Sequence, residues 1–86
     1  MNSLDYLKAQ KKDCCLCGRS GELHHLDKIG MGRDRKKPLK EHYSVVGLCR
    51  LHHTEIHTIG ARNFEDKYGV NLWREAHSRL IDWVER

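Results

Sequence analysis

The chain has 86 residues and a formal net charge of +4 at pH 7; 38% of its residues are hydrophobic and 33% are charged. These values exclude an intrinsically disordered protein, and no apolar run approaches the ~20 residues that a transmembrane helix needs. A chain of this length forms one domain with a small core, which commonly needs a metal ion or a disulfide for stability. The basic excess favours a polyanionic partner such as nucleic acid, although charge alone is weak support.

The chain combines four cysteines with seven histidines. Residues 1–12 contain no hydrophobic run of the kind found in secretory signal peptides, so we expect a cytoplasmic protein. Thiols stay reduced in that compartment, and cysteines that accompany histidines there are more often metal ligands than disulfides. The composition therefore predicts metal binding.

In chain order, the first predicted elements are a helix, a cysteine turn, a strand and a loop. Leucines at helical spacing behind a cap at Ser3 predict a leading helix over residues 3–12. The Cys-x-x-Cys-Gly sequence at residues 14–18 is typical of a zinc knuckle. Residues 22–26 are predicted as a short strand, and residues 28–40, which hold two glycines, a proline and many charges, as a loop.

The second half of the chain predicts one more strand and three helices. Residues 42–48 are rich in valine and tyrosine and are predicted as a strand. A helix is predicted over residues 49–58, and a short helix over residues 63–68 with Asn63 as its cap. Residues 71–86 have the clearest amphipathic pattern, which places both tryptophans of the chain in the core.

Two widely separated pairs of residues predict a structural metal site. Each pair has the two-residue spacing of a metal knuckle, and together they form a Cys-x2-Cys and Cys-x2-His set suited to tetrahedral zinc, consisting of Cys14, Cys17, Cys49 and His52. Such a site would join distant segments of a small domain. Unrelated buried cysteines are the less favoured interpretation. Cys15 is left over, and we expect it to be a small buried hydrophobic residue.

The remaining histidines predict a second, catalytic metal site. His53 and His57 are four residues apart, so they lie on one face of a helix. His24 and His25 are adjacent on a predicted strand, so their side chains point to opposite faces. We therefore expect His24, His53 and His57 to bind a divalent metal ion, and His25 to act as a general base. His77 is expected to be a surface or core residue.

The charged loop offers candidate contacts for nucleic-acid phosphates. They are Arg33, Arg35, Lys36, Lys37 and Lys40. A solvated loop is an equally good interpretation, because most charge runs simply face water. No predicted element is suited to reading base edges, so we expect nucleic-acid binding with little sequence specificity.

The cysteine and histidine motifs together resemble the HNH nuclease superfamily, and most closely the small phage-associated HNHc nucleases. The resemblance is carried by the segments CCLCGRSGELHHLDKIGMGR and VVGLCRLHHTEIHTIG. It implies an α+β fold of the zinc-stapled ββα-metal type, with its core at about residues 14–60 and additional short helices at both ends, at residues 1–12 and about 63–86. It also implies metal-dependent hydrolysis of DNA, a phage or prophage origin and a bacterial host, with His24, His53 and His57 as metal ligands and His25 as the base.

The sequence departs from the superfamily pattern at two places. The fourth zinc ligand is usually cysteine, whereas this chain has His52, which makes a Cys3His site. The central Asn of the superfamily name has no clear counterpart, and either His42 or Ser44 occupies its region. We expect His42 to be the residue that orients His25.

The predicted cofactors are one structural Zn2+ and one catalytic divalent ion, which is Mg2+, Mn2+, Ni2+, Co2+ or Zn2+. The main alternative function is a zinc-finger-like module that binds nucleic acid and cleaves nothing. A third possibility is a metal-stabilised structural or regulatory protein with no affinity for DNA. The monomeric or dimeric state is left open by the sequence.

Overall fold

A computed structural model describes residues 2–85 of the chain. The first helix, α1, spans Ser3–Ala9, and its N-cap is Asn2. The Asn2 side chain accepts hydrogen bonds from the backbone N–H groups of Leu4 and Asp5, and the Asp5 carboxylate accepts one from Asn2 N at 3.1 Å. The predicted cap at Ser3 is therefore wrong, since Ser3 is a buried residue of the first turn.

Two short strands form an antiparallel hairpin that carries the adjacent histidines. Strand β1 spans Glu22–His25 and strand β2 spans Val45–Leu48. The register pairs His24 with Val46 and His25 with Val45. All of β2 is buried, whereas β1 is only partly covered.

The predicted strand over residues 42–48 begins too early, because Lys40–Tyr43 forms a 3-10 turn. The turn is stabilised at its end, where Ser44 Oγ donates a hydrogen bond to the Glu41 carbonyl at 2.9 Å. A local side-chain to backbone bond of this kind competes with extended structure. As a result His42 lies on the turn and not on the strand, and its side chain is 1% exposed.

Three helices follow the hairpin. Helix α2 spans Arg50–Ile59, α3 spans Ala61–Tyr68 and α4 spans Leu72–Val84. The predicted cap at Asn63 is wrong, because Gly60 caps α3 and the Asn63 amide donates to the Ile59 carbonyl at 2.9 Å. The last residue of the predicted terminal helix, Arg86, lies outside the described residues. None of the helices in residues 2–85 is long and apolar enough to span a membrane.

One hydrophobic core joins the hairpin to the helices. Its buried members are Cys14, Val46, Leu48, Cys49, Ile56, Phe64, Leu72 and Ala76. The prediction that both tryptophans lie in this core is wrong for Trp73, which is 51% exposed. Leu72 and Ala76 form the buried stripe of α4, and Trp73 is displaced from Leu72 by one residue, or about 100° around the helix. Trp83 is half-buried and meets the ring of Tyr6 edge-on at a centroid distance of 5.7 Å.

A glycine in β2 lets the cysteine turn pack directly against the hairpin. A Cβ atom at Gly47 would lie only 2.1 Å from the carbonyl oxygen of Asp13. The close approach allows the Cys15 N–H to donate to the Gly47 carbonyl at 3.0 Å. The turn itself closes when Gly18 N donates to the Cys14 carbonyl at 2.8 Å, with Gly18 at a positive φ of 75°. These contacts bring Cys14 and Cys17 to the beginning of α2.

Candidate metal centres and active site

The structure brings the four residues of the predicted structural site together. Cys14 and Cys17 come from the turn, Cys49 is the N-cap of α2, and His52 lies in the first turn of that helix. The Nδ1 atom of His52 lies 3.2 Å from the sulfur of Cys49, 3.4 Å from that of Cys14 and 3.9 Å from that of Cys17. The sulfurs of Cys17 and Cys49 are 3.8 Å apart.

These distances fit a single tetrahedral ion of the size of zinc. Metal–sulfur bonds of about 2.3 Å and metal–nitrogen bonds of about 2.05 Å give tetrahedron edges of about 3.8 Å between sulfurs and about 3.6 Å between sulfur and nitrogen. The observed distances lie close to both values. The rings of Tyr68 and Phe64 meet His52 edge-on, at centroid distances of 5.2 and 6.2 Å, and hold its imidazole in place.

The chemistry of the cysteines also fits a metal site. Burial by itself would raise the pKa of Cys14, but backbone N–H groups of the turn and of Cys49, together with His52, lower it to about 6. A thiolate, which is the form that binds metal, is therefore well populated at neutral pH. Cys15 is different, because burial raises the pKa of its thiol and its sulfur lies outside the cluster.

The second predicted cluster is also assembled by the fold. His24 on β1 faces His53 and His57 on α2, and one ligand nitrogen from each lies within 4.8 Å of the other two. The Nε2 atoms of His53 and His57 are 3.1 Å apart. The His24 ring lies edge-on to both, at centroid distances of 5.1 and 5.2 Å. The i, i+4 spacing on the helix and the alternation of side chains on the strand produce this arrangement.

The environment of His24 keeps this histidine in the form that binds metal. Burial, followed by the proximity of His53 and His57, lowers the pKa of His24 to about 4. The imidazole is therefore neutral at pH 7, with a free lone pair. Within residues 2–85 the cluster consists of three converging imidazoles, a ligand set that fits an ion with open coordination sites.

The carboxylate of Glu22 contacts His53 on the side of the ring that faces away from the cluster. Glu22 Oε1 lies 3.3 Å from His53 Nδ1, while the other nitrogen of His53 faces the cluster. A carboxylate on the outer nitrogen of a histidine commonly fixes the ring and makes the inner nitrogen more basic. Sequence reasoning missed Glu22, although it lies two residues before His24 and thus on the same face of β1.

His25 points away from the cluster and contacts His42. Its Nε2 atom lies 3.0 Å from His42 Nδ1, and His42 Nε2 lies 3.0 Å from the Lys37 carbonyl oxygen. Because a carbonyl only accepts, His42 carries its proton on Nε2, and a neutral His42 then accepts at Nδ1 from His25 Nε2. These bonds leave Nδ1 of His25 as its unprotonated nitrogen.

His42, and not Ser44, therefore contacts the candidate base. Ser44 Oγ instead accepts from the backbone N–H of Asp27 at 3.3 Å. The pKa of His25 is lowered mainly by burial, then by His42 and Arg35, and the Glu41 carboxylate opposes this shift.

The three clustered histidines and His25 open onto one cleft of about 380 Å³. His25 lies in its wall beside His24, His53 and His57, and Lys28 and Arg35 add positive charge. Although neighbouring side chains of β1 point in opposite directions, the cleft at the end of the strand reaches both of them. A group bound at the three histidines is therefore within the same enclosure as His25.

The predicted phosphate-contacting cations occupy different positions. Arg35 lines the cleft, whereas Lys36 and Lys37 are exposed and lie outside its lining. Arg33 forms an ion pair with Glu41, which is 5% exposed. Sequence reasoning did not single out Glu41, since a lone glutamate at the end of a charged loop gives no sign of burial.

Comparison with known proteins identifies the family. A family model described as "Putative HNHc nuclease" matches residues 1–83. The chain is also 41% identical, over 70 residues, to the uncharacterized protein YdfU of Escherichia coli (strain K12). The alignment covers 80% of this chain but only 19% of YdfU. No solved structure matches. The extent of the family match, which includes α1, both clusters and nearly all of α4, leads to one assignment: the chain belongs to the HNHc nuclease family.

Proposed function

We propose that this protein is a metal-dependent endonuclease that hydrolyses DNA phosphodiester bonds, with His25 as its general base. The observation that carries the proposal is the cleft in which His25 lies beside three converging histidines. A proton acceptor next to an open metal site is the arrangement that phosphodiester hydrolysis requires. The cytoplasmic location and the phage or prophage origin stay predictions of the sequence.

His25 takes a proton from a water molecule through Nδ1, the nitrogen that its hydrogen bonds leave free. The resulting hydroxide forms a bond to phosphorus as the bond from phosphorus to the 3′ oxygen breaks in line with it. Solvent water supplies a proton to the departing oxygen. The products are a 5′-phosphate and a 3′-hydroxyl, and the proton on His25 returns to solvent.

His42 orients this base. It is almost fully buried, and both of its ring nitrogens have partners, so its ring is fixed on the 3-10 turn. By accepting from His25 Nε2, it holds the proton on that atom and keeps Nδ1 available as the acceptor. His42 is therefore a positioning residue.

The two clusters are proposed to hold two different metal ions, one structural and one catalytic. We assign a structural Zn2+ to Cys14, Cys17, Cys49 and His52, because their distances match a zinc tetrahedron. His24, His53 and His57 would hold the single catalytic divalent ion. When bound there, the ion supplies stabilisation of negative charge on the scissile phosphate and on the departing oxygen.

The substrate is proposed to be DNA held mainly by its phosphates. Arg35 and Lys28 in the cleft provide positive charge beside the reacting group. Lys36 and Lys37 on the exposed loop, and Arg33 if its pair with Glu41 opens, are further candidate contacts. No described element is shaped to enter a groove and read bases, so little sequence specificity is expected.

Cleavage of a supercoiled plasmid tests the proposal. Zinc-loaded protein is incubated with added Mg2+, Mn2+, Ni2+ or Co2+, and the nicked and linear products are quantified. We expect metal-dependent cleavage that falls about 10²- to 10⁴-fold in His25→Ala, the range that a general base commonly contributes. His77→Ala is the matched control, because His77 is an exposed histidine on α4 away from both clusters.

The outcomes separate the nuclease from its alternatives. A His25→Ala protein that cleaves as fast as wild type would overturn the base assignment. No cleavage by wild type with any ion, together with salt-sensitive DNA binding, would favour a zinc-stabilised nucleic-acid-binding module. Absence of both cleavage and binding would leave a metal-stabilised structural role.

A further inference from the structure

A second, larger groove lies on the side of β1 that faces α1. Its volume is about 740 Å³, and it is bounded by the C-terminal part of α1, by β1 and by the first residue of α2. Three cationic residues line it, namely Lys8, Lys12 and Arg50. Leu7 and Leu23 provide apolar surface between them. Sequence reasoning missed all three cations, because Lys8 and Arg50 are 42 residues apart in the chain and only the fold brings them together.

The cations of this groove form no ion pair with the residues that the structure describes. Within residues 2–85, the lysines and arginines that form ion pairs are Arg33, Lys67 and Arg79. The three cations of the groove are not among them. Glu22 is the acidic residue of the groove lining, but its carboxylate is engaged with His53 on the other side of the strand. Among the described residues, the groove therefore presents three unpaired cations against one carboxylate, Glu22, which is directed to His53.

The groove is continuous with the proposed active site. Leu23 and His25, which share one face of β1, line both the groove and the cleft with the histidine cluster. His25 thus lies where the two meet. A strand whose scissile phosphate lay next to His25 would have the groove on one side of that phosphate and Arg35 on the other.

We propose that the groove of Lys8, Lys12 and Arg50 binds the sugar–phosphate backbone of the substrate strand on one side of the scissile bond. This inference rests on the proposed nuclease function and assigns the path of its substrate. Lysine and arginine contacts to phosphates set the register of the strand without reading its sequence. The apolar surface between the cations suits the sugars, and α1 becomes part of the DNA-binding surface.

A pair of charge-matched variants tests this assignment. Lys8→Gln/Lys12→Gln removes two charges from the groove, and Arg62→Gln/Arg74→Gln removes two exposed charges from α3 and α4. Binding of a fluorescently labelled DNA duplex is measured over a range of salt concentrations on the His25→Ala background, so that the probe stays intact. We expect the groove variant to bind about tenfold more weakly, with a logarithmic salt dependence reduced by about 1.5 to 2 units, because each lost phosphate contact removes about 0.9.

A truncation series locates the contacts along the strand. Single-stranded oligonucleotides that lose nucleotides from one end or the other are cleaved by proteins with His25 intact, and kcat/KM is measured. For wild type, shortening the flank that occupies the groove lowers kcat/KM about tenfold. In Lys8→Gln/Lys12→Gln the same shortening has little effect, whereas shortening the opposite flank affects both proteins equally.

The outcomes of this test differ from those of the function itself. If wild type cleaves but the groove and control variants show the same affinity, salt dependence and response to truncation, the groove assignment is overturned and the nuclease stands. If wild type does not cleave DNA with any ion, the proposed function fails, and the substrate path fails with it. Selective loss in the groove variant, confined to one flank, supports the assignment.

Discussion

His25 Nε2 and His42 Nδ1 lie 3.0 Å apart, and this contact joins the end of β1 to the buried 3-10 turn that precedes β2. The Lys37 carbonyl on the far side of His42 completes a chain of two hydrogen bonds. The direction of both bonds is fixed by a carbonyl, which can only accept a proton. A backbone atom of the charged loop therefore determines which nitrogen of His25 is available for chemistry.

Replacing His42 tests this chain of hydrogen bonds. We expect His42→Leu to lower kcat for DNA cleavage about 10- to 100-fold, the usual effect of losing the partner that orients a functional histidine. KM and the content of both metals should change little, because His42 is outside the metal clusters. Steady-state kinetics and metal analysis of the purified variant measure these quantities.

His42→Asn provides a rescue. The Oδ1 atom of asparagine is separated from the backbone by the same number of bonds as His42 Nδ1, so it can accept the same proton from His25. Most of the lost kcat should return in this variant. Equal loss of kcat in the Leu and Asn variants, or a parallel fall in thermal stability that accounts for it, would argue for a merely structural role. His77→Ala again provides the histidine control.

The residues of both clusters could be predicted from the sequence, because most of them occur in pairs whose members are only three or four positions apart. A Cys-x2-Cys turn, a pair at the start of a helix and an i, i+4 histidine pair each need only one element to place their ligands. The resemblance to the HNH superfamily then implied how the strands and the helix that carry these pairs are arranged. The family match confirms the HNH nuclease assignment, and the structure agrees with a small α+β domain.

What the sequence did not predict depends on contacts between distant segments. Glu22 reaches His53 across the space between β1 and α2, and Arg33 pairs with a glutamate that is buried only after the loop folds back. The exposure of Trp73 has the same origin, since the amphipathic pattern of α4 cannot tell which part of its apolar stripe meets β2. The cap of α1 was predicted one residue too late because Asn2 and Ser3 are both good N-cap residues, and the cap of α3 was missed because its N-cap, Gly60, has no side chain that would mark it.

We expect the loss of one candidate zinc ligand, Cys17, to lower the free energy of unfolding of the whole domain. Zinc bound by a site of this type contributes about 10–16 kcal/mol to the folding of small zinc domains, which exceeds the stability of most domains of this size. Cys17→Ala should therefore lose zinc and its cooperative thermal unfolding transition. Circular dichroism during heating and zinc analysis by mass spectrometry measure both effects.

Cys15→Ala is the control for this prediction, because its sulfur is next to the cluster in sequence but outside it. This variant should retain one equivalent of zinc, with only the modest loss of stability expected for a small, half-buried side chain. A stable Cys17→Ala protein, or equal loss of zinc in both variants, would contradict the assignment of the structural site.

The carboxylate behind the histidine cluster predicts an effect on metal affinity. Glu22→Gln removes the negative charge next to His53 Nδ1, and the loss of such an outer partner commonly weakens metal binding 10- to 100-fold. Calorimetric titration of Mn2+ or Co2+ into zinc-loaded protein measures the affinity of the second site. The structural zinc should be unaffected, since Glu22 lies outside the cysteine cluster.

Glu85→Gln is a suitable control for Glu22→Gln, since it makes the same substitution at the exposed end of α4. The second site should bind metal equally well in this variant and in wild type. Unchanged affinity in Glu22→Gln would mean that the glutamate does not support the cluster. Equal weakening in both variants would indicate a general effect of net charge.

The ion pair between the exposed Arg33 and the buried Glu41 predicts a defined pH dependence. Burial favours the neutral acid, but a backbone hydrogen bond and the Arg33 guanidinium outweigh it and hold the pKa of Glu41 below its ordinary value of 4.5. A carboxyl group with a lowered pKa stabilises the folded protein at neutral pH, and this contribution is lost only as the pH falls through the folded-state pKa. We expect Glu41→Gln to have a lower Tm than wild type, by an amount that stays constant between pH 7 and pH 5 and declines below pH 4.5.

Thermal unfolding of wild type, Glu41→Gln and Arg33→Gln in zinc-containing buffers measures this dependence. The two variants each remove one partner, so their effects should be strongly non-additive in the double variant. If the difference in Tm between wild type and Glu41→Gln instead grows as the pH falls from 7 to 5, the carboxyl group has a raised pKa and burial prevails over Arg33. In that event Arg33 would be free to contact phosphate, and the loop would present one more cation to DNA beside Arg35.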